Sequence, residues 1–238
     1  MDKNEIISIL EDQGISLNLT QIGQLDQYLT TLVETNKSLN LTAITESNEV
    51  WLKHFYDSLT PLIYMEQLQG QKTLVDVGTG AGFPGVVLKI VQPKLEVTLV
   101  DSLQKRLNFL NGLTNELGLT GIQTVHARAE DFGQDKTYRE SFDFVTARAV
   151  ANSSTLLEYL LPLTKIGGQV ILYKSASYKE ELAESTRALR TLGGEIGDVH
   201  EFELPNGDLR AVIEVNKISK TPNKYPRLAG TPTKKPLK

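Results

Sequence analysis

The 238-residue chain contains no cysteine, which removes disulfide frameworks, thiolate zinc sites and every mechanism with a cysteine nucleophile. Histidine is nearly as scarce. His54, His126 and His200 are scattered without metal-ligand spacing, so they read as structural or surface residues and no metal site is expected. No apolar run approaches the ~20 residues that span a bilayer. The opening Met1-Asp2-Lys3-Asn4-Glu5 lacks the basic start of a secretory signal, so a cytoplasmic protein with no membrane attachment is expected. At 40% hydrophobic and 23% charged residues, the chain is neither pervasively disordered nor fibrous, and it carries no internal repeat.

Charge is present but uneven. The formal net charge is −4, yet the last 23 residues hold seven lysines and arginines and no acid. The rest of the chain sets 18 basic residues against 29 acidic ones, so the body carries −11 and the tail +7. Four of the nine prolines (Pro222, Pro226, Pro232, Pro236) also fall in the tail. An acidic body with a basic, proline-punctuated tail points to a polyanionic partner.

Three segments follow from periodicity. Residues 1–69 read as a helical cap: Ile6, Ile7 and Leu10, then Leu19 to Val33 at three-to-four spacing behind a capping Asn18 or Thr20, then Trp51, Phe55, Leu59, Leu62 and Ile63. Residues 70–217 alternate short β-branched runs with helical ones. Strands are expected at 73–77, 96–100, 122–126, 142–146 and 169–173, with helices near 86–91, 103–117, 155–161 and 178–192. Two further strands, 199–204 and 210–215, flank an Asn206-Gly207 turn and read as an antiparallel hairpin. Residues 218–238 form the basic tail. An α/β, Rossmann-like, mostly parallel sheet of seven strands with an antiparallel last strand is the plan of the class I S-adenosylmethionine-dependent methyltransferases, which the pattern resembles.

The candidate site begins at Asp76-Val77-Gly78-Thr79-Gly80-Ala81-Gly82-Phe83-Pro84-Gly85. Glycines at the carboxyl end of a first strand let the chain turn sharply and let a nucleotide-like ligand approach the backbone. Asp101 ends the next strand, where its carboxylate can accept from both hydroxyls of a ribose; the alternative is a helix-capping aspartate. Gly80-x-Gly82-x-x-Gly85 with Asp101 formally suits NAD and an oxidoreductase. Gly78-x-Gly80-x-Gly82 after an acidic strand suits S-adenosylmethionine, and Pro84 lacks an amide that a pyrophosphate would use. Ala129-Glu130 follows the third strand, where an acid and a backbone amide can hold adenine. Arg148 follows the fourth, where it orients cofactor, pocket or substrate. At Tyr225-Pro226-Arg227 an anchored tail competes with base stacking and phosphate contact by Tyr225, Arg227, Lys224, Lys234 and Lys235.

Gly78-Thr79-Gly80-Ala81-Gly82-Phe83-Pro84-Gly85, Asp101-Ser102 with Lys105, Arg128-Ala129-Glu130, Arg148-Ala149-Val150 and Tyr225-Pro226-Arg227 together resemble the RsmG family, also called GidB (glucose-inhibited division protein B). Asn40-Leu41-Thr42 and His54-Phe55-Tyr56-Asp57-Ser58 extend the likeness over nearly the whole chain. Thr79, Ser175 and Leu228 depart from the family's more frequent serine, glycine and basic residue. The resemblance implies methylation of nitrogen-7 of guanine 527, in the 530 loop of 16S ribosomal RNA, within the small ribosomal subunit or its precursor. It also implies that Gly78, Phe83, Ala129, Glu130 and Arg148 contact S-adenosylmethionine. A monomer is expected, and the competing reading without catalysis is an RNA-binding module that keeps a nucleotide pocket. Nitrogen-7 offers a lone pair and loses no proton on alkylation, so an inventory without an obvious general base or nucleophile suits that reaction.

Overall fold

A computed structural model describes residues 1–237; Lys238, counted above in the basic tail, lies outside the described residues. Helices α1 (Lys3–Asp12) and α2 (Leu19–Leu39) open the chain. Asp2 and Asn18 accept from the free amides of each first turn, and Glu5 and Gln21 return the bond to the cap backbone. The apolar stripe of 51–63 does form helix, but in pieces: α3 (Ser47–Val50), a π-helical turn over Trp51–Tyr56, α4 (Asp57–Leu59) and α5 (Pro61–Tyr64). The widened turn carries His54 into the site described below.

Seven strands follow: β1 (Thr73–Val77), β2 (Glu96–Asp101), β3 (Ile122–His126), β4 (Phe142–Ala147), β5 (Thr164–Ser175), β6 (Gly194–Glu203) and β7 (Leu209–Lys217). Their order is β3-β2-β1-β4-β5-β7-β6, and β7 runs antiparallel to both of its neighbours. The expected plan is therefore the observed one. The connecting helices are α6 (Gly85–Val91), α7 (Gln104–Glu116), α8 (Ala129–Gln134), α9 (Ser153–Leu160), α10 (Tyr178–Ala183) and α11 (Thr186–Leu192), with α12 (Thr231–Lys234) in the tail. The strand order reverses between β1 and β4, and there a crevice opens beyond the carboxyl ends of the strands.

Two details differ from the sequence pattern. β5 starts five residues before Gln169, although Gly167-Gly168 looks like a turn. A side chain at 168 would come within 2.7 Å of the Asp143 carbonyl, so glycine serves close strand approach here. The polar helix of 178–192 is broken at Ser185, whose hydroxyl bonds back to the Glu181 carbonyl at 2.6 Å.

The expected segment boundaries do not separate cores. Leu25, Tyr28, Trp51 and Phe55 of the first helices share one buried cluster with Val87, Leu99, Leu110 and Ile171 on one side of the sheet. The opposite side buries Val145, Leu157, Val170 and Ile213 together with Tyr225 and Leu237 of the tail. The tail is thus fastened to the body. The Glu158 carboxylate, fully buried, takes two bonds from the Arg227 guanidinium (2.8 and 2.7 Å) and one from its amide (2.8 Å). Arg139 donates to the carbonyls of Thr221, Pro222 and Tyr225. Lys217 is buried against the carbonyls of Leu161 and Leu192, and that burial lowers its pKa to about 8. Among the described residues no helix is long and apolar enough to cross a membrane.

Arg227→Ala strands the buried Glu158 carboxylate. It is expected to lower the unfolding free energy in urea by about 3 kcal/mol, the cost of leaving one member of a buried pair alone. A loss below about 1 kcal/mol, typical of an exposed pair, would contradict this anchoring.

Candidate active site

The turn after β1 is built from backbone bonds. The amides of Gly78 and Thr79 both donate to the Val100 carbonyl at the end of β2, at 2.8 and 3.0 Å. Gly80 has φ +60°, and an added side chain would meet only the Gly78 carbonyl oxygen, at 4.0 Å. The space it leaves opens to a cavity, so glycine is needed here for backbone conformation and for ligand room alike. Gly82 has φ +103° and no room at all: a Cβ would lie 2.6 Å from the Tyr28 hydroxyl. That hydroxyl donates to the Ala81 carbonyl at 2.5 Å, so α2 clamps the loop from outside. Beneath the loop, buried Asp76 accepts from the Thr79 hydroxyl (2.7 Å) and the Gly85 amide (2.9 Å), while its Oδ1 has no partner.

The cavity holds about 500 Å³ and is walled by the carboxyl ends of β1, β2 and β4 and by Ala127 and Ala129 beyond β3. Gly78, Gly80, Phe83, Asp101, Ala129 and Arg148 all line it, which brings together six of the seven cofactor candidates. Asp101 is 3% exposed and accepts from the Gly80 amide (3.0 Å), the Leu103 amide (2.9 Å) and Arg106 (3.3 Å). A carboxylate among such donors beside apolar Val77, Val100 and Ala127 suits a ribose flanked by a purine, so the donor set fits the nucleoside half of S-adenosylmethionine. The seventh candidate, Glu130, does not line the cavity. It accepts from the Gly230 amide at 2.8 Å and from the Tyr159 hydroxyl at 3.4 Å, so its carboxylate is turned to the tail.

The far wall comes from the first helices and was poorly legible in the sequence. Phe83 stacks on His54 (4.3 Å between ring centres, 14°) and on Tyr28 (5.2 Å, 13°). His54 Nε2 lies 2.9 Å from the Thr42 hydroxyl, and Thr42 is held by a two-way amide bond with Asn36. Arg148 donates to Asp57 at 2.9 Å with both side chains nearly buried, and its guanidinium lies over Phe83 and Tyr173. Next to it Ala149 takes φ +58°, a strained backbone for alanine. The scattered-histidine reading overlooked His54, and only its place in the family-like string at 54–58 marked it.

A second cavity of about 420 Å³ shares His54, Arg148 and Ala149 with the first and continues past Tyr173, Lys174 and Glu181 to Lys53 and Arg210. The tail candidates sit elsewhere. Tyr225 is buried and Arg227 is held by Glu158, whereas Lys224, Lys234 and Lys235 are exposed. For Tyr225 and Arg227 the anchored alternative describes what the structure places there.

Comparison with known proteins gives one family. A family model described as GidB, rRNA small subunit methyltransferase G, matches residues 21–221. The chain is 53% identical to the ribosomal RNA small subunit methyltransferase G of Leuconostoc citreum over the full length of both. It is 54% identical to that of Lactobacillus johnsonii over 96% of each chain. Among solved structures, a variant of the 16S rRNA (adenine(1408)-N(1))-methyltransferase from Catenulisporales acidiphilia is similar in fold, with TM-score 0.52 and 16% identity over 68% of this chain and 89% of the other. Aeropyrum pernix fibrillarin in complex with S-adenosyl-L-methionine matches at TM-score 0.51 and 16% identity, over 67% and 72%.

The buried groups make opposed contributions to pH dependence. Burial, and then the Arg148 charge, lower the His54 pKa from 6.5 to about 4. A histidine held neutral stabilises the fold above pH 6.5 and loses that contribution as pH falls toward 4, because the unfolded chain takes up the proton first. Burial raises Asp76 from 3.8 to about 6, so its contribution to stability grows as pH falls from about 6 toward 3.8. His54→Asn removes the histidine's contribution and leaves that of Asp76 in place. The stability gap between wild type and variant, read by urea unfolding, is expected to shrink as pH is lowered from 6.5 to about 4. A gap constant across that window would contradict a neutral His54.

Proposed function

The chain belongs to the GidB family, the rRNA small subunit methyltransferases G, and on that footing we propose that it methylates nitrogen-7 of guanine 527 in the 530 loop of 16S ribosomal RNA. It is an S-adenosylmethionine-dependent methyltransferase acting on 16S ribosomal RNA. The oxidoreductase alternative falls to the strand order and the family together. We place the enzyme in the cytoplasm as a monomer, working on the small ribosomal subunit or its precursor.

The observation that carries the reading is the pair of cavities meeting at Arg148 and Ala149, one suited to a nucleoside and one open to a base. When bound, S-adenosylmethionine supplies a methyl group already activated by a sulfonium. Asp101 would accept from the ribose hydroxyls, and the backbone of Gly78, Gly80 and Ala129 would bound the nucleoside. Phe83 and its stacked partner His54 wall the first cavity, and His54 lines both. No residue has to remove a proton, and His54, whose pKa is lowered to about 4 and whose Nε2 is bonded to the Thr42 hydroxyl, would be a weak base. Asp57 offsets the Arg148 charge where the reaction carries positive charge from sulfur to purine. What remains for the protein is alignment of nucleophile, methyl and sulfur. The exposed Lys224, Lys234 and Lys235 give the tail its attraction for RNA phosphate.

Small subunits incubated with the enzyme and the labelled cofactor, then reduced and cleaved with aniline, are expected to break at guanine 527. Label without a break there would overturn the nitrogen-7 assignment. Asp101→Ala is expected to weaken cofactor binding in calorimetry by roughly 10–100-fold, as for loss of a charge-assisted hydrogen bond; unchanged affinity would remove Asp101 from the site. Replacing Lys224, Lys234 and Lys235 by alanine is expected to flatten the salt dependence of RNA binding by about 2 in log–log slope. An unchanged slope would show that these lysines do not touch phosphate.

A further inference from the structure

We propose that Glu181 reads the Watson–Crick edge of the target guanine in the second cavity, and so selects guanine while presenting nitrogen-7 to the methyl donor. The inference rests on the methyltransferase reading above and adds to it the residue that recognises the base.

The Glu181 carboxylate is held from three directions. Its Oε2 accepts from the amide of Ser153 (3.1 Å), the hydroxyl of Ser153 (2.9 Å) and the Lys174 ammonium (2.7 Å). Ser153 is fully buried, and Lys174 and Ser153 come from β5 and α9, so three elements converge on one oxygen. Those three bonds leave Oε1 available as an acceptor on a group whose position is already fixed. Burial alone would raise the Glu181 pKa, but the Lys174 and Ser153 hydrogen bonds outweigh it and keep the group anionic. Glu181 lines the second cavity, and its side chain is 29% exposed.

The other walls suit a flat heterocycle reached through a phosphate chain. Ile44, Ala151 and Leu156 are apolar; Lys53, paired with Glu49, and Arg210, 3.5 Å from both Asp57 and Asp208, stand at the polar end, where a flanking phosphate would exchange for those carboxylates. Guanine carries its N1–H and N2 amine donors on one edge and nitrogen-7 on the opposite one. A carboxylate that accepts at the donor edge turns nitrogen-7 the other way. His54, Arg148 and Ala149 line both cavities, and transfer as proposed requires nitrogen-7 to face that shared wall. Oε1 accepts from N1–H and the N2 amine together; adenine offers an unprotonated N1 and no amine on that edge, and hypoxanthine loses the amine, so one oxygen serves both choice and orientation.

The test uses small-subunit RNA joined by splint ligation with guanine or hypoxanthine at the target position and assembled into subunits. Hypoxanthine keeps N1–H and nitrogen-7 but lacks the N2 amine. Wild type is expected to methylate the guanine subunit at least roughly tenfold faster in kcat/KM than the hypoxanthine one. Glu181→Gln, which keeps an acceptor for Ser153 and Lys174, is expected to lose at least roughly tenfold on guanine and to bring the ratio near one. Cofactor affinity by calorimetry should stay within about twofold, which also reports that the variant is folded. A variant slower on both substrates with the wild-type ratio preserved would make Glu181 structural and overturn the inference. Wild type that methylates the guanine and hypoxanthine subunits at equal rates would overturn it equally. Failure of wild type to methylate the guanine subunit at all would instead sink the methyltransferase reading beneath it.

Discussion

The Arg148–Asp57 ion pair is the contact on which the site depends. Arg148 leaves the end of β4, Asp57 sits where the π-helical turn passes into α4, and both side chains are nearly out of water. A guanidinium so nearly out of water is tolerable only with a partner, so the sheet cannot present Arg148 without the first helices beside it. Its charge then acts on its neighbours. It lowers the His54 pKa together with burial, opposes the burial of Tyr28 and Tyr173, and lies over the Phe83 ring. The first helices are therefore a wall of the active site and part of the core of the sheet.

The tail applies the same physics from the other side of the molecule. Its +7 looked like a free polycation, but Arg227 goes to buried Glu158 and Lys217 lies 3.4 Å from Glu140 within a nest of carbonyls. The tail charge left uncovered is carried by exposed lysines, Lys224, Lys234 and Lys235 among them. Gly230 meets Glu130 in α8, whose first residue Ala129 lines the first cavity, so the tail also braces that end of it.

Much of this was legible in sequence for definable reasons. The strands of a parallel sheet are continuous apolar runs, and the hairpin of β6 and β7 turns on Asn206-Gly207, so architecture follows from short-range pattern. The glycine turn and Asp101 were legible because their spacing is set by one strand–turn–helix–strand unit. What could not be read were pairings across long separations: Tyr28 with Ala81, Asp57 with Arg148, Glu158 with Arg227 and Ser153 with Glu181. An ion pair across 91 residues leaves no periodicity behind it. Glu130 is the reverse case, since its position in the string suits adenine while its carboxylate accepts from the Gly230 amide of the tail.

The central claim is that cofactor and base occupy two cavities joined at Arg148 and Ala149. A crystal structure with S-adenosylhomocysteine tests it most directly. The account predicts adenosine between Asp101 and Ala129, the sulfur directed at the Arg148–Ala149 wall, the Arg148–Asp57 pair intact and the second cavity open. Density placing the sulfur away from that wall, or the ligand in the second cavity, would contradict it.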